Sequence, residues 1–287
     1  MISFFTMKKI ILLLMTLAIF LCACNEKSTQ SNITFSTLDL TVTTNWGIEA
    51  IDYTTFDAEN IKIAVIDRIG YIDAPGITYH SVVDNDNNPI EHGSYVVALL
   101  HELVPSAEIV AINIATVEGL IEPLMLAEGI QYAIDSGCHV INISLGSQTN
   151  YTEVEEQILD AVKSQCVVVA ACGNESRSTL DFPAGYDKVI SVMARNIDNI
   201  DFDNNNISNN KKSISAPGSV IFNETRTVSG SSIAAAYVTA EVAYILSIQP
   251  DIALNELQEL LIRSSIFETE YSFGMINHQL IMNYIKE

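Results

Sequence analysis

Short apolar runs that alternate with helical stretches constrain the fold of this chain more than any other feature. Runs of this kind are typical of strands that are buried on both faces of a parallel sheet. The helical stretches place apolar residues on one face, and one of them ends at Gly137, a common stop signal. This alternation predicts one α/β domain built on a parallel sheet. The predicted strands lie at 61–66, 109–114, 139–144, 167–171 and 189–193, and the predicted helices at 120–136, 152–164, 232–247 and 254–264.

The N-terminus has the pattern of a secretory signal. Two lysines precede an apolar run at 10–20, which is too short to span a bilayer comfortably. The sequence LCAC follows at 21–24 and resembles the bacterial lipobox, which implies cleavage before Cys24 and attachment of lipid to it. A plain signal peptide that contains cysteines remains the alternative.

From these segments we predict three parts along the chain. Residues 1–23 form the signal peptide, 24–40 a polar tether rich in Ser, Thr and Asn, and 41–287 a single domain. Acyl chains on Cys24 would hold the domain on the outer face of a bacterial cell membrane without a transmembrane helix. We therefore expect a secreted, lipid-anchored, extracytoplasmic monomer whose only membrane contact is the lipid.

Charge and cysteine content argue against two classes of protein. The chain carries 35 acidic and 14 basic side chains, a net charge of −21, and would repel the phosphates of a nucleic acid. The cysteines beyond the N-terminus are Cys138, Cys166 and Cys172. Their odd number and irregular spacing do not suit a disulfide framework, so we predict buried thiols.

Reactive residue types stand at the ends of several predicted elements. Asp67 ends the first strand, Asn174 follows the fourth, His92 begins an apolar helical run, and Ser232 lies at the start of a helix. Ligands bind at the carboxyl ends of the strands in open parallel sheets, so we expect these side chains to converge there. A lone serine at a helix start is usually only a cap, and the prediction therefore depends on the whole set.

Taken in order, these segments resemble the subtilisin family of serine proteases, the subtilases. The resemblance implies a three-layer αβα sandwich with a mostly parallel, subtilisin-like sheet. It covers roughly residues 44–248, far more than any one motif. The matching segments are IAVID at 63–67 (aspartate motif), HGSYVVALL at 92–100 (histidine motif), VINISLG at 140–146 (substrate-binding strand), VVVAACGN at 167–174 (oxyanion motif) and GSSIAAAYVTA at 230–240 (serine motif).

The resemblance implies a catalytic triad of Asp67, His92 and Ser232, with Asn174 as the oxyanion donor. A serine hydroxyl becomes an effective nucleophile when an imidazole takes its proton, and a buried carboxylate fixes the imidazole tautomer. A side-chain amide aimed at the developing oxyanion lowers the barrier further. We therefore predict a serine endopeptidase that acts on peptides or proteins. The alternative is a catalytically inactive homologue that binds peptides at the cell surface.

The same resemblance implies a substrate pocket lined by Leu145, Gly146, Glu175 and Asp181. Two carboxylates in a pocket would pair with a cation. We therefore predict cleavage after Arg or Lys, as a processing protease would perform. The alternative, that both carboxylates point to solvent, remains open.

Three positions depart from the family pattern without removing a catalytic group. Arg68 follows the aspartate where Ser or Thr is usual, and this cation could alter the surroundings of the catalytic base. Tyr95 replaces a histidine that is not catalytic, and Ala236-Tyr237 replaces Pro-His after the serine motif.

The predicted chemistry requires no cofactor, and we assign no metal ligand. Asp84, Asp86 and Asn88 alternate as calcium ligands do, but no Gly or distal Glu completes an EF-hand pattern. We predict an ordinary surface loop there, and calcium binding has no clear motif behind it. The Asn/Asp-rich segment at 196–210 is likewise predicted to be a surface loop.

Overall fold

The computed structural model of the chain describes residues 21–22, 40–84, 90–209, 213–266 and 274–286. The lipidation candidate Cys24 and the tether as far as residue 39 lie outside these ranges, as do Asp86 and Asn88.

A nine-stranded sheet forms the centre of the domain. Its strand order is β13-β14-β10-β9-β8-β6-β3-β5-β4, and every neighbouring pair is parallel except β13 with β14. Neighbouring parallel strands run in the same direction, so their carboxyl ends lie at one edge of the sheet. Residues that follow different strands therefore meet at that edge. The strands are β3 (Lys62–Asp67), β4 (Ile77–Ser81), β5 (Glu108–Asn113), β6 (Val140–Ile143), β8 (Val167–Ala171), β9 (Ile190–Arg195), β10 (Ile214–Pro217), β13 (Ser265–Ile266) and β14 (Met275–Ile276).

Two smaller sheets lie beside it. One has the order β12-β11-β2, and the other pairs β1 with β7 in antiparallel register. Their strands are β1 (Leu21–Cys22), β2 (Val42–Thr44), β7 (Leu145–Gly146), β11 (Ser219–Phe222) and β12 (Arg226–Ser229).

Helices cover both faces of the central sheet. Ile63 and Val65 of β3 belong to a core shared with the second and fifth helices, whereas Ala64 and Ile66 belong to a core shared with the third and fourth. This alternation follows from the two-residue period of a strand, and it confirms the predicted three-layer αβα sandwich. The helices are α1 (Trp46–Ala50), α2 (His92–Leu103), α3 (Pro123–Asp135), α4 (Thr152–Lys163), α5 (Ser231–Ile248), α6 (Leu254–Arg263) and α7 (His278–Lys286).

Helix α5 is the most enclosed of these helices. All of its residues from Ser231 to Leu246 are buried. Of the helices in the described ranges, it alone has the length and apolar character that a membrane crossing would need. Since 89% of that stretch is buried inside the protein, α5 is a core helix, which is the ordinary reason for such a composition.

A buried side-chain contact joins α5 to the last helix. Glu241 of α5 is fully buried, and its Oε2 lies 2.8 Å from Nδ1 of His278 at the start of α7. The rings of Tyr53 and Tyr244 pack against the imidazole with centroids 5.0 Å and 4.7 Å away. Burial raises the pKa of the Glu241 carboxyl, and the contact with His278 opposes that rise.

The predicted strands and helices are confirmed, with ends that differ from the prediction by at most three residues. The 196–210 loop is only partly as predicted, because Asn205 and Asn206 are buried rather than exposed. Asn205 bonds both backbone groups of Ala194, so the polar composition of this loop serves internal hydrogen bonds.

The predicted buried thiols are confirmed. Cys138, Cys166 and Cys172 are all free and buried. Cys166 Sγ donates to the backbone oxygen of Cys138 at 2.8 Å, because the two residues precede the neighbouring strands β6 and β8. Burial raises the pKa of Cys138 to about 12 and that of Cys166 to about 11, so both stay protonated at neutral pH.

Candidate active site

Asp67 and His92 meet at the carboxyl edge of the sheet. Asp67 is the last residue of β3, and His92 is the first residue of α2. His92 Nδ1 lies 2.9 Å from Asp67 Oδ2, and both side chains are buried. A carboxylate can only accept a hydrogen bond, so Nδ1 carries the proton and Nε2 is left as the basic nitrogen.

Gly93 allows this contact because it brings α2 unusually close to β3. A Cβ on Gly93 would lie 2.5 Å from Asp67 Cβ and 2.6 Å from Ile69 Cγ1. Its backbone N–H donates to the Arg68 carbonyl at 2.9 Å, which ties the first turn of the helix to the end of the strand. Residue 93 must therefore be glycine, because any side chain there would clash with Asp67 and Ile69.

Arg68, the departure noted in the sequence, is directed at the N-cap of α2. Its Nη2 lies 2.6 Å from Oε1 of Glu91, and its backbone N–H donates to Asp67 Oδ1 at 2.6 Å. Glu91 also forms a capping box with Ser94. The side chain of Arg68 thus pairs with Glu91 rather than with Asp67, while its backbone helps to hold the Asp67 carboxylate.

Ser232 lies in the first turn of α5, next to the strand that leads to β7. Its Oγ donates to the backbone oxygen of Ser144 at 3.1 Å, and the Ser144 hydroxyl reaches back to the backbone oxygen of Ser232 at 3.3 Å. Ser231 and Ser232 are both buried. The positive end of the α5 dipole lies at these serines.

Asn174 is held against the start of the same helix. Its Oδ1 accepts the backbone N–H of Ser231 at 3.0 Å. Because a backbone N–H can only donate, this bond orients the amide with Nδ2 as its donor end. Gly173 precedes it with φ +98°, and a Cβ there would lie 2.1 Å from Asn206 Nδ2, so this position needs glycine both for its conformation and for space.

The predicted pocket residues also come together, but with a partner that the sequence analysis did not include. A Cβ on Gly146 would lie 2.7 Å from Asp181 Cβ, so the short β7 strand contacts Asp181 directly. Arg177 Nη2 lies 2.6 Å from Asp181 Oδ1 and 2.6 Å from Glu175 Oε2. The two predicted carboxylates are therefore already paired with a cation of this chain.

The acidic pair has an unequal environment. Asp181 is buried and Glu175 is partly exposed. Burial raises the pKa of the Asp181 carboxyl, and the hydrogen bond and charge of Arg177 act against that rise. The salt bridge with Arg177 therefore favours the charged form of a carboxylate that burial alone would tend to neutralise.

Three residues of the site were missed by the sequence analysis. Ser144 lies within the VINISLG segment at 140–146, but it acts through its backbone oxygen, which every residue has and which no sequence pattern reveals. Arg177 lies two residues after Glu175 and four before Asp181, a charge pattern that could have revealed it. Asn206 comes from the polar loop after β9, and only the three-dimensional structure brings it here.

Nothing in the described part of the chain forms a cluster of three or more His, Cys, Asp or Glu side chains suited to a metal ion. The loop that we predict around Asp84 is described only at that residue, because Asp86 and Asn88 lie outside the described ranges.

Comparison with known proteins agrees with this geometry. A sequence profile of the subtilase family (Peptidase S8) matches residues 79–279, which include His92, Asn174 and Ser232, while Asp67 precedes the match. Subtilisin NAT of Bacillus subtilis subsp. natto is 29% identical over 252 residues, covering 78% of this chain and 66% of that protein. An intracellular serine protease of Paenibacillus polymyxa is 28% identical over 242 residues, covering 72% of this chain and 74% of that protein.

Solved structures show the same fold. The patellamide maturation protease PatA superimposes with a TM-score of 0.68 at 23% identity, covering 81% of this chain and 99% of that one. The prenylagaramide maturation protease PagA gives a TM-score of 0.65 at 22% identity, covering 80% of this chain and 94% of that one. This chain spans about two thirds, 66%, of the length of subtilisin NAT. The profile match over most of the domain, together with the fold, shows that the chain belongs to the subtilase family.

Proposed function

We propose that this chain is a serine endopeptidase in which Asp67, His92 and Ser232 form the catalytic triad. The observation that carries the proposal is the buried contact of 2.9 Å between His92 Nδ1 and Asp67 Oδ2. It leaves the second imidazole nitrogen as a base at the same sheet edge to which β6 and α5 bring Ser144 and Ser232. Membership of the subtilase family supports the same reaction.

In the proposed reaction the Ser232 hydroxyl attacks the carbonyl of the substrate peptide bond. Its proton passes to His92 Nε2, and Asp67 stabilises the imidazolium that forms. The imidazolium then gives this proton to the leaving amine as the peptide bond breaks, and water, deprotonated by His92, hydrolyses the ester left on Ser232. Because the hydroxyl donates to the Ser144 carbonyl in this structure, it must turn towards the imidazole when substrate binds. We expect this change to be a rotation of the Ser232 side chain, since catalytic hydrogen bonds often become short only in the substrate complex.

Reaction with a fluorophosphonate probe tests this proposal. We expect the folded protein to be labelled at a stoichiometry near one, since the probe reacts with an activated serine. Failure of the folded protein to react would instead favour the inactive, peptide-binding homologue. Circular dichroism on the same sample shows whether the protein is folded.

The oxyanion donor gives a more specific prediction. Asn174→Ala removes the amide whose Nδ2 end is directed by the bond from Ser231 N–H. We expect kcat to fall by about 10²–10³-fold with little change in KM, because an oxyanion donor acts mainly in the transition state. Steady-state kinetics on one peptide substrate measures both constants.

Asn283→Ala is the matched control for this substitution. Asn283 is exposed on α7, where it accepts a bond from Gln279, so we expect wild-type kinetics. A loss of similar size in both variants, or an unchanged kcat in Asn174→Ala, would rule out the proposed oxyanion role.

The predicted preference for Arg or Lys stays a prediction. Glu175 and Asp181 do lie together, which supports it, but Arg177 already pairs with both.

We also propose that the chain is anchored outside the cytoplasm by lipid on Cys24. The sequence LCAC at 21–24 supports this, and the side chains there lie outside the described part of the structure. In cells grown with a labelled fatty acid, we expect Cys24→Ser to lose the label and to leave the detergent phase. Cys22→Ser, the matched control, should keep both. Label retained in Cys24→Ser would contradict this site.

A further inference from the structure

We propose that Arg177 is a specificity-determining residue: its guanidinium occupies the acidic pocket beside Asn174, so that the pocket accepts an uncharged side chain before the cleaved bond. This inference rests on the proposed function, because it concerns the substrate of that same site. It also reverses the preference that the carboxylates alone predict.

The guanidinium of Arg177 forms hydrogen bonds with both carboxylates of the pocket. Nη2 lies within 2.6 Å of Glu175 Oε2 and within 2.6 Å and 2.8 Å of the two oxygens of Asp181. These are the short distances of charge-assisted hydrogen bonds. A substrate cation would have to displace an intramolecular one that is already in place.

The pocket lies directly beside the catalytic groups. Glu175 Oε2 accepts the backbone N–H of Asn174 at 3.0 Å, and Asn174 Oδ1 in turn accepts the backbone N–H of Ser231. On its other side, Asp181 contacts Gly146 of β7. A side chain that neighbours the scissile carbonyl would therefore meet this cluster first.

Arg177 is anchored through its backbone as well as its side chain. Its N–H donates to Asn206 Oδ1 at 3.0 Å, and its carbonyl accepts the N–H of Ile207 at 2.9 Å. The side chain of Arg177 is 22% exposed. Because this side chain is largely shielded from solvent, its ion pairs are screened less than pairs between exposed side chains.

The charge balance explains why uncharged side chains are preferred. With Arg177 in place, oxygens of both carboxylates already accept charge-assisted hydrogen bonds from its guanidinium, so a substrate cation would gain little by binding there. Without Arg177, two carboxylates would face each other, and Asp181 would be buried without its cation, an arrangement that favours a substrate Arg or Lys.

The test compares two peptides that differ only in the residue before the cleaved bond, Arg in one and Leu in the other. We expect the wild-type protein to cleave the Leu peptide with the higher kcat/KM. In Arg177→Gln we expect the Arg-to-Leu ratio of kcat/KM to rise by about tenfold or more, the size that a charge-assisted pair contributes. Arg263→Ala, which removes an exposed pair with Glu259, should leave the ratio unchanged.

A second variant covers the case in which Arg177→Gln does not fold. Arg177→Lys keeps the positive charge but loses the fork that reaches both carboxylates. We expect the Arg-to-Leu ratio of kcat/KM in Arg177→Lys to be higher than in the wild type and lower than in Arg177→Gln. Adding Asp181→Asn to either variant should cancel the gain for the Arg peptide.

Binding of 4-aminobenzamidine, followed by its fluorescence, separates this inference from the proposed function. The probe is a cation that needs a free carboxylate but no catalysis, so it should bind Arg177→Gln and not the wild type. Such binding by a protein that fails to react with fluorophosphonate would support the pocket inference and refute the endopeptidase. Tight binding to the wild type, equal cleavage of both peptides by the wild type, or an unchanged ratio in both Arg177 variants would overturn the inference.

Discussion

Ser232→Ala is expected to lower kcat by on the order of 10⁶-fold, because the loss of the nucleophile disables the whole triad and leaves only binding and oxyanion stabilisation. The hydroxyl belongs to the buried first turn of α5, where it donates to the Ser144 carbonyl. Alanine keeps the helix and fits the enclosed site, so the folded state should be retained. Peptide cleavage and fluorophosphonate labelling measure the effect.

Ser231→Ala is the matched control for this experiment. It removes the neighbouring hydroxyl but keeps the backbone N–H that holds Asn174 Oδ1. We expect labelling to persist in Ser231→Ala and to disappear in Ser232→Ala. The reverse pattern would identify Ser231 as the nucleophile. Labelling retained in both variants would show that neither serine is the nucleophile.

His278→Ala is expected to reduce the free energy of unfolding by about 3–5 kcal/mol, because it leaves Glu241 buried without its partner. No hydrogen-bond donor in the described ranges reaches the second carboxylate oxygen of Glu241, so nothing there replaces the imidazole. Urea denaturation of the wild type and the variant measures the difference.

The pH dependence of the variant provides a second measurement. Burial raises the pKa of Glu241 in the folded state, and without His278 that rise is no longer opposed. A carboxyl with a raised folded-state pKa contributes stability at low pH, which is lost as the pH rises through that pKa. The variant should therefore lose stability between about pH 4.3, the usual pKa of a glutamate in an unfolded chain, and the raised pKa of the buried Glu241, while Tyr53 and Tyr244, whose pKa values are raised, stay neutral.

Glu241→Gln in the His278→Ala background is the control. The amide cannot ionise, so the decline in stability between these pH values should disappear. A decline that persists in the double variant would assign the pH dependence to another group, and a His278→Ala protein as stable as the wild type would refute the role of the pair.

The architecture and much of the candidate site could be predicted because both depend on local patterns. The buried strand of β3 is a continuous apolar run that ends in Asp67, and the segment that begins α2 carries His92 followed by the glycine that its packing requires. The position of Asn174 follows from the end of β8. Once strands of a parallel sheet are recognised, their carboxyl ends must share one edge.

The state of the pocket could not be predicted in the same way. Glu175 and Asp181 were recognised as carboxylates, but whether a carboxylate faces a substrate or an internal cation depends on side-chain paths through space. Arg177 reaches both only because the chain turns sharply at Gly173 and Asn206 holds the turn from a separate loop. The burial of His278 likewise depends on the packing of α7 against α5, a contact between helices far apart in sequence.

The hold of Asn206 on the turn after β8 has a consequence for divergence among related proteases. One amide oxygen accepts the backbone N–H groups of both Glu175 and Arg177, yet Asn206 itself belongs to the loop after β9. Under the specificity role proposed for Arg177, a replacement in that loop would alter the position of the guanidinium without any change at Asp67, His92 or Ser232. Substrate preference would then depend on an asparagine that belongs neither to the triad nor to the acidic pocket.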